Sequence, residues 1–276
     1  MKIAILADIH ANFVALQTVA AHVDRWQPDA VVVAGDIVNR GPRPRECLEF
    51  VLQKQQTAGW LAVKGNHEDY VISCAPPNGA QSEIWRIADW TYEQLNGDVA
   101  ALQALPFQVD LPLPGGSELR VVHASMLGNR NGIYRHTTDE HLRQKIAPPP
   151  AVFCAGHTHI PLRRTIDQTL VVNAGSVGLP FDGDQRAGYA QIELGQSRRT
   201  ARIVRLKYDY CRAEQDFYAT GFWPGGGPLA KLVLDELRTA QSRLYQWTTE
   251  YQQATIAGEI SLEAAVNNFL VKVKSQ

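Results

Sequence analysis

The sequence predicts an α/β fold, a two-sheet β-sandwich flanked by helices with a helical hairpin at its C-terminus, and three observations lead there. Short apolar runs alternate with helix-period segments over the first third of the 276 residues, strand-like runs crowd the second half, and five of the apolar runs stop at side chains able to bind metal or move protons. Alternating strands and helices favour parallel pairing, because a parallel connection needs a crossover. Ligands of such folds gather just beyond the carboxyl ends of the strands, so five such ends can converge on one crevice. With 45% hydrophobic residues, the chain can bury a full core.

Lys2 to Ala7 is a first buried strand, ending at Asp8. Asn12 then caps a helix whose Val14, Leu16, Val19, Ala20 and Val23 fall at helical spacing and which ends near Gln27-Pro28. Val31 to Gly35 is the second strand, running into Asp36. Pro42 to Gln55, with Cys47, Leu48, Val51 and Leu52 on one face, is the second helix, and Trp60 to Val63 is the third strand, followed by Gly65-Asn66-His67. Ser82 to Leu105 is helical, with a stop and restart at Asn96-Gly97-Asp98. Phe107–Leu111 and Glu118–Val122 flank a hairpin loop at Pro114-Gly115-Gly116, and the second of these strands ends at His123.

Thr137-x-x-Glu140 has the form of a capping box. Val152 to Ala155 leads into Gly156-His157-Thr158-His159, and Thr169–Asn173, Gly188–Leu194 and Arg202–Tyr208 complete the strands. Arg163-Arg164 and Arg198-Arg199 read as solvated turn or strand-end charges. After Trp223-Pro224-Gly225-Gly226-Gly227-Pro228, a tail carries Ala230, Val233, Leu237, Ala240, Leu244, Trp247, Tyr251 and Ala254 at alternating steps of three and four, a heptad seam on one long helix. Ser261 caps a second. The expected division is a domain over residues 1–225 and a helical extension over 226–276, with the seam as a candidate homodimer contact.

A formal net charge of −1 leaves no basic excess to neutralise a phosphate polymer, which argues against a nucleic-acid partner. The N-terminal apolar run stops at Asp8 without a cleavage site, and no stretch is long enough to cross a bilayer, so the expected location is the cytoplasm and no membrane partner is expected. Cys47, Cys74, Cys154 and Cys211 are too scattered for a disulfide framework or a thiolate zinc site.

The polar residues at the strand ends form an ordered set. Asp8-Ile9-His10 places a carboxylate and an imidazole at i and i+2, on one side of an extended chain. Gly35-Asp36 and Gly65-Asn66-His67 set polar groups after glycines that permit tight turns. Two histidines at i and i+2 in Gly156-His157-Thr158-His159 are rarely needed for packing alone. Carboxylate, amide and imidazole donors without thiolate suit Mn, Fe, Co, Ni or Zn better than Ca or Mg.

In this order, D-x-H, G-D, G-N-H-[DE], an isolated H and G-H-x-H, the segments resemble the calcineurin-like metallophosphoesterase superfamily, over about residues 1–225. Gly41-Pro42, Val121-Val122-His123-Ala124-Ser125 and Asn173-Ala174-Gly175-Ser176-Val177-Gly178 look like its small prokaryotic phosphodiesterase-like branch. The resemblance implies an α-β-β-α sandwich holding two divalent ions, manganese being the expected metal. Asp8, His10, Asp36 and His159 would bind one ion, and Asp36, Asn66, His123 and His157 the other, with Asp36 bridging. It implies hydrolysis of a small phosphate ester by a metal-bridging hydroxide, with His67 protonating the leaving group or stabilising charge.

One departure bears on the substrate. The protein-phosphatase branch has G-D-x-x-D-R-G where this chain reads Gly35-Asp36-Ile37-Val38-Asn39-Arg40-Gly41. Asn39 replaces the carboxylate that pairs with the catalytic histidine, while Arg40 matches that branch's phosphate-contacting arginine. Lys64 stands where many relatives have arginine, which weakens bidentate phosphate contact there. The expectation is a phosphodiesterase; the alternative, supported by Arg40 and Glu68, is a phosphoprotein (Ser/Thr) phosphatase. A third reading is a non-catalytic binding scaffold, as in a retromer subunit of this fold that lacks metal-site histidines; the full ligand set here argues against it. Arg130, Asn131, Tyr134 and His136 follow His123 in a loop and are further candidates for substrate contact, whereas His141 belongs on an exposed helix.

Overall fold

A computed structural model describes residues 1–76, 82–195 and 198–275. In chain order the elements are β1 (Lys2–Leu6), α1 (Phe13–Trp26), β2 (Ala30–Val33), α2 (Pro44–Ala58), β3 (Leu61–Ala62), α3 (Asn66–Ser73), a 3-10 turn (Glu83–Trp85), α4 (Arg86–Gln94), α5 (Ala100–Gln103), β4 (Gln108–Pro112) and β5 (Glu118–Val122). There follow α6 (Asp139–Ile146), β6 (Val152–Ala155), β7 (Leu162–Ile166), β8 (Thr169–Asn173), β9 (Ala187–Leu194), β10 (Arg199–Leu206), α7 (Tyr210–Ala219), α8 (Phe222–Gly225), α9 (Ala230–Thr239), α10 (Arg243–Ile256) and α11 (Leu262–Lys274). No described helix is long and apolar enough to cross a membrane.

Two five-stranded sheets, ordered β10-β9-β1-β2-β3 and β4-β5-β6-β8-β7, stack to make the sandwich. The crossover helices α1 and α2 make β1, β2 and β3 parallel, and β9 returns antiparallel to β1 with Ile3 opposite Ile192. Alternation along β1 shows why the layers form. Ile3 and Ile5 join Val32, Leu119, Val121, Cys154 and Val172 between the sheets, while Ala4 and Leu6 face α1 and α2 through Leu16, Val19, Cys47 and Val51. Each fully buried aliphatic side chain contributes about 1.5–3 kcal/mol relative to exposure. On the far side α6 lays Leu142 and Ile146 against Phe153 and Val171, which closes the fourth layer.

The expected caps set several boundaries. Asn12 Oδ1 accepts the Ala15 N–H at 3.1 Å, and α1 stops where Gln27 turns left-handed at φ 51°. For α6 the cap is Thr138 rather than Thr137: its hydroxyl accepts the His141 N–H, whereas Thr137 accepts that of Tyr134. His141 itself is exposed on that helix. Arg163-Arg164 lies inside β7 rather than in a turn. Among the described residues β7 pairs with β8 alone, and an edge strand tolerates charge because its outer side meets water.

The tail departs most from expectation. Instead of one long helix, the chain turns at Ala240, left-handed at φ 51°, and restarts at Ser242, giving α9 and α10 before α11 completes the hairpin. Ala230, Val233, Leu237 and Trp247 of the seam are buried against Ile87, Trp90, Leu179, Phe217 and Phe222 of the same chain. That apolar core spans the division expected at residues 225 and 226 and covers the first part of the seam, while Leu244, Tyr251 and Ala254 stay half-buried.

Candidate metal centre

Asp8, Asp36, Asn66, His123, His157 and His159 all lie just past the ends of β1, β2, β3, β5 and β6. The backbone there is unusual. Asp8, His10, Asp36, Asn39, Arg40, His157 and His159 all have positive φ, between 47° and 69°. Left-handed backbone costs an L-residue roughly 1–2 kcal/mol, and such strain gathers where a fold must aim side chains. The i, i+2 pair Asp8 and His10 therefore converges by two left-handed turns, not along the extended chain that its spacing predicts. Close approach requires glycine at position 65, since a Cβ there would sit 2.1 Å from Asp36 Oδ1.

Ligand-type atoms of Asp8, His10, Asp36 and His159 lie within 4.8 Å of one another, all buried. The protonation of the imidazoles follows from their outer partners. His10 Nδ1 faces the Asn39 carbonyl at 3.3 Å, His123 Nδ1 faces that of Ala34 at 2.9 Å, and His159 Nδ1 faces that of Leu179. Each Nδ1–H donates outward, so each Nε2 turns a lone pair inward. His10 Nε2 and His159 Nε2 are only 3.0 Å apart. Two lone pairs at that distance repel unless a cation lies between them, so the donor set fits a metal ion.

A second group adjoins the first. Asn66 Oδ1 is 2.9 Å from both His123 Nε2 and His157 Nδ1, and Asp36 Oδ2 lies 3.3 Å from His123 Nε2 and 3.6 Å from His10 Nε2, between the two groups. Burial is the main cause in every titration here. It drives Asp8 well up, and Asp36 up to about 7. It drives His10 and His159 well down, His123 down to about 4 and His157 down to about 3. Neutral imidazoles and carboxylates in want of a cation are what a divalent ion needs.

Glu68 was legible only as a motif position, yet it organises the centre. Its buried carboxylate accepts the N–H groups of Asp36 (2.8 Å), Gly65 (2.7 Å), Ile37 (2.7 Å) and Val38 (3.2 Å), tying the turns after β2 and β3 together. Ser176 donates to the Asp8 carbonyl at 2.6 Å, and Asn173 Nδ2 to that of Gly156 at 2.6 Å, which brace the turns after β1 and β6.

His67 meets Asn39, whose Nδ2 is 3.0 Å from His67 Nδ1. The Asn39 amide is oriented by the Arg40 N–H, which donates to its Oδ1 at 2.9 Å, so the NH2 group faces the ring. His67 therefore accepts at Nδ1 and carries its proton on Nε2. Burial, then the charge of Arg40, holds its pKa well below the usual histidine range.

A cleft of 860 Å³ opens on His67, His157, Asn39 and Arg40. Tyr70, Trp85, Tyr134, His136 and Phe181 line it, and the tail supplies a wall through Leu229, Leu244, Tyr245 and Trp247. Of the loop residues considered for substrate contact, Tyr134 and His136 line the cleft. Arg130 instead lies over the Tyr70 ring at 4.7 Å, Asn131 is held by Lys145, and Lys64 sits 3.6 Å from Asp69. Arg40 pairs with buried Glu236 of α9 at 2.6 Å and lies over Phe181, which stacks on His159 with centroids 4.1 Å apart. Neither Phe181 nor Glu236 carries a sequence signal, since a lone aromatic or acid far along the chain resembles any other.

Residues 1–197 match the model of the calcineurin-like phosphoesterase superfamily domain. An uncharacterized protein of Methanocaldococcus jannaschii is 26% identical over 228 residues, covering 76% of this chain and 89% of the relative. Serine/threonine-protein phosphatase 1 of Salmonella typhimurium is 30% identical over 125 residues, 44% of this chain and 54% of that protein. A metallophosphoesterase structure from Sphaerobacter thermophilus superposes with a TM-score of 0.68 at 26% identity, covering 87% of this chain and 99% of that one. A hypothetical protein of Pyrococcus horikoshii OT3 shares the fold at a TM-score of 0.74 and 19% identity, with the same coverage of 87% and 99%.

Proposed function

The chain belongs to the calcineurin-like phosphoesterase superfamily, and from that premise we propose that it is a metal-dependent hydrolase of phosphodiesters, its chemistry carried by residues 1–225 and part of its substrate cleft by 226–276. The observation that carries metal-dependent phosphoester chemistry is the buried cluster of Asp8, His10, Asp36 and His159. We assign one divalent ion to these four and a second to Asp36, Asn66, His123 and His157, with manganese first among Mn, Fe, Co, Ni and Zn. When bound, such a pair supplies an activated water and offsets charge during in-line displacement.

The remaining roles fall to the protein. His67 directs its Nε2–H toward the substrate as a hydrogen-bond donor. Arg40 offers its guanidinium to the phosphoryl oxygens; its Nε is buried without a partner among the described residues, and a buried donor of that kind calls for an acceptor. Preference for diesters rests on Asn39. A carboxylate against Nδ1 would stabilise an imidazolium able to protonate a poor leaving group, whereas an amide donating to Nδ1 favours a neutral ring. Diesters with activated leaving groups need less of that help, and carry one charge where a monoester carries up to two.

We expect higher kcat/KM on bis(p-nitrophenyl) phosphate or a cyclic nucleotide than on p-nitrophenyl phosphate or phosphoserine peptides. A second reading, protein-phosphatase activity, draws on Arg40, Glu68 and the likeness to the Salmonella phosphatase. A tenfold preference for phosphopeptides, about 1.4 kcal/mol in transition-state binding, would replace the diesterase reading with that one.

A further inference from the structure

We infer that Glu236, on α9 and outside the residues matched by the family model, is a positioning residue that sets the Arg40 guanidinium to receive the substrate's phosphate. The inference rests on the assignment of Arg40 to the phosphate made above.

Glu236 has no exposed side-chain surface, and its Oε2 accepts from Arg40 Nη2 at 2.6 Å. Its other oxygen accepts the Leu244 N–H at 2.8 Å, in the first turn of α10. Those two contacts hold the carboxylate from both sides, so it cannot follow a wandering arginine. The positive end of α10 and the guanidinium together offset its charge. Across the guanidinium lies the Phe181 ring, 5.4 Å from Cζ, itself stacked on His159. Nε remains buried without a partner among the described residues, and Arg40 lines the cleft beside His67 and His157. A long side chain loses rotamer freedom on gripping an anion; here that loss is taken at folding rather than at each binding event. The turn at Ala240 that breaks the tail's seam is what lets the start of α10 reach Glu236.

The test compares metal-loaded wild type, Glu236→Gln, Glu236→Asp, Arg40→Gln and the double variant Glu236→Gln/Arg40→Gln. Inhibition by inorganic phosphate, KM and kcat on bis(p-nitrophenyl) phosphate, metal content and thermal midpoint are measured on each. Glu236→Gln keeps an acceptor for Leu244 but loses the charge, and should raise the phosphate inhibition constant and KM about tenfold, a shift of about 1.4 kcal/mol, at unchanged metal content. The double variant should be no worse in phosphate inhibition than Arg40→Gln alone. Glu236→Asp keeps the charge but shortens the reach, and should weaken phosphate inhibition several-fold; it carries the test by itself if Glu236→Gln does not fold. Multiplying losses in the double variant, or phosphate inhibition unchanged in Glu236→Gln and Glu236→Asp while Arg40→Gln weakens it, would overturn the proposal. An unchanged inhibition constant in Arg40→Gln would instead remove the phosphate assignment on which it stands.

Discussion

At the scale of single residues, the divided position of Asp36 and the contact of His67 with an amide make separable predictions. Asp36 Oδ2 stands between His10 Nε2 and His123 Nε2, so Asp36→Asn should strip more metal and more rate than His159→Ala, which removes one donor from one group. Elemental analysis of the purified variants checks this, and metal content in Asp36→Asn equal to wild type would contradict the bridging role. His67 is no member of either donor group. His67→Ala should keep near-normal metal yet lose on the order of 10²-fold in kcat, with a smaller loss for good leaving groups. If it loses metal instead, the donor role assigned to it is wrong. Asn39→Asp should turn the His67 Nδ1 into a donor and shift the ratio of kcat/KM values toward monoesters.

At the scale of elements, the tail is where sequence and structure part. The strands and first helices were legible because their apolar runs keep one period and stop at a named residue, as β1 does before Asp8 and α1 does at Gln27. The convergence of the polar residues proposed as ligands was legible for the same reason: each stands where a strand ends. β7 was missed because an edge strand bearing Arg163 and Arg164 shows no apolar run. The break at Ala240 was missed because a heptad count weighs only apolar positions and ignores Glu236, whose buried carboxylate draws α9 and the start of α10 onto Arg40. Through Leu229, Leu244, Tyr245 and Trp247 the tail thus walls the cleft as well as covering an apolar core. Trp247, 1% exposed in that core, gives the element-scale prediction. Trp247→Ala should cost about 3–5 kcal/mol in denaturant unfolding. It should leave the metal content intact, since every assigned ligand lies before residue 160; loss of metal from the folded variant would tie the tail directly to the ligands.

At the scale of the whole molecule, the residues assigned as ligands come from both halves of the sandwich. Asp8, His10, Asp36 and Asn66 follow strands of one sheet, and His123, His157 and His159 follow strands of the other. Bound ions would therefore fasten one sheet to the other. Metal present at 100 times its dissociation constant should add about 2.7 kcal/mol to stability. Removing it with a chelator should lower the thermal midpoint, and adding back Mn should restore it; an identical midpoint with and without metal would mean that the folded chain binds no ion at this centre.

The place of β9 has a further consequence for the making of the protein. β1 lies between β2, which follows it closely, and β9, whose residue Ile192 faces Ile3 across the sheet. A ribosome finishes β1 and β2 early and delivers the strand on their open side only when most of the chain has been translated. Through that interval the growing chain carries an unpaired apolar border on β1, an invitation to the wrong neighbour. The last histidine of the centre, His159, also emerges before that border is closed. An ion bound at that moment would be gripped by a half-built sheet, so if the ions bind as assigned, stable uptake is expected only after β9 has docked.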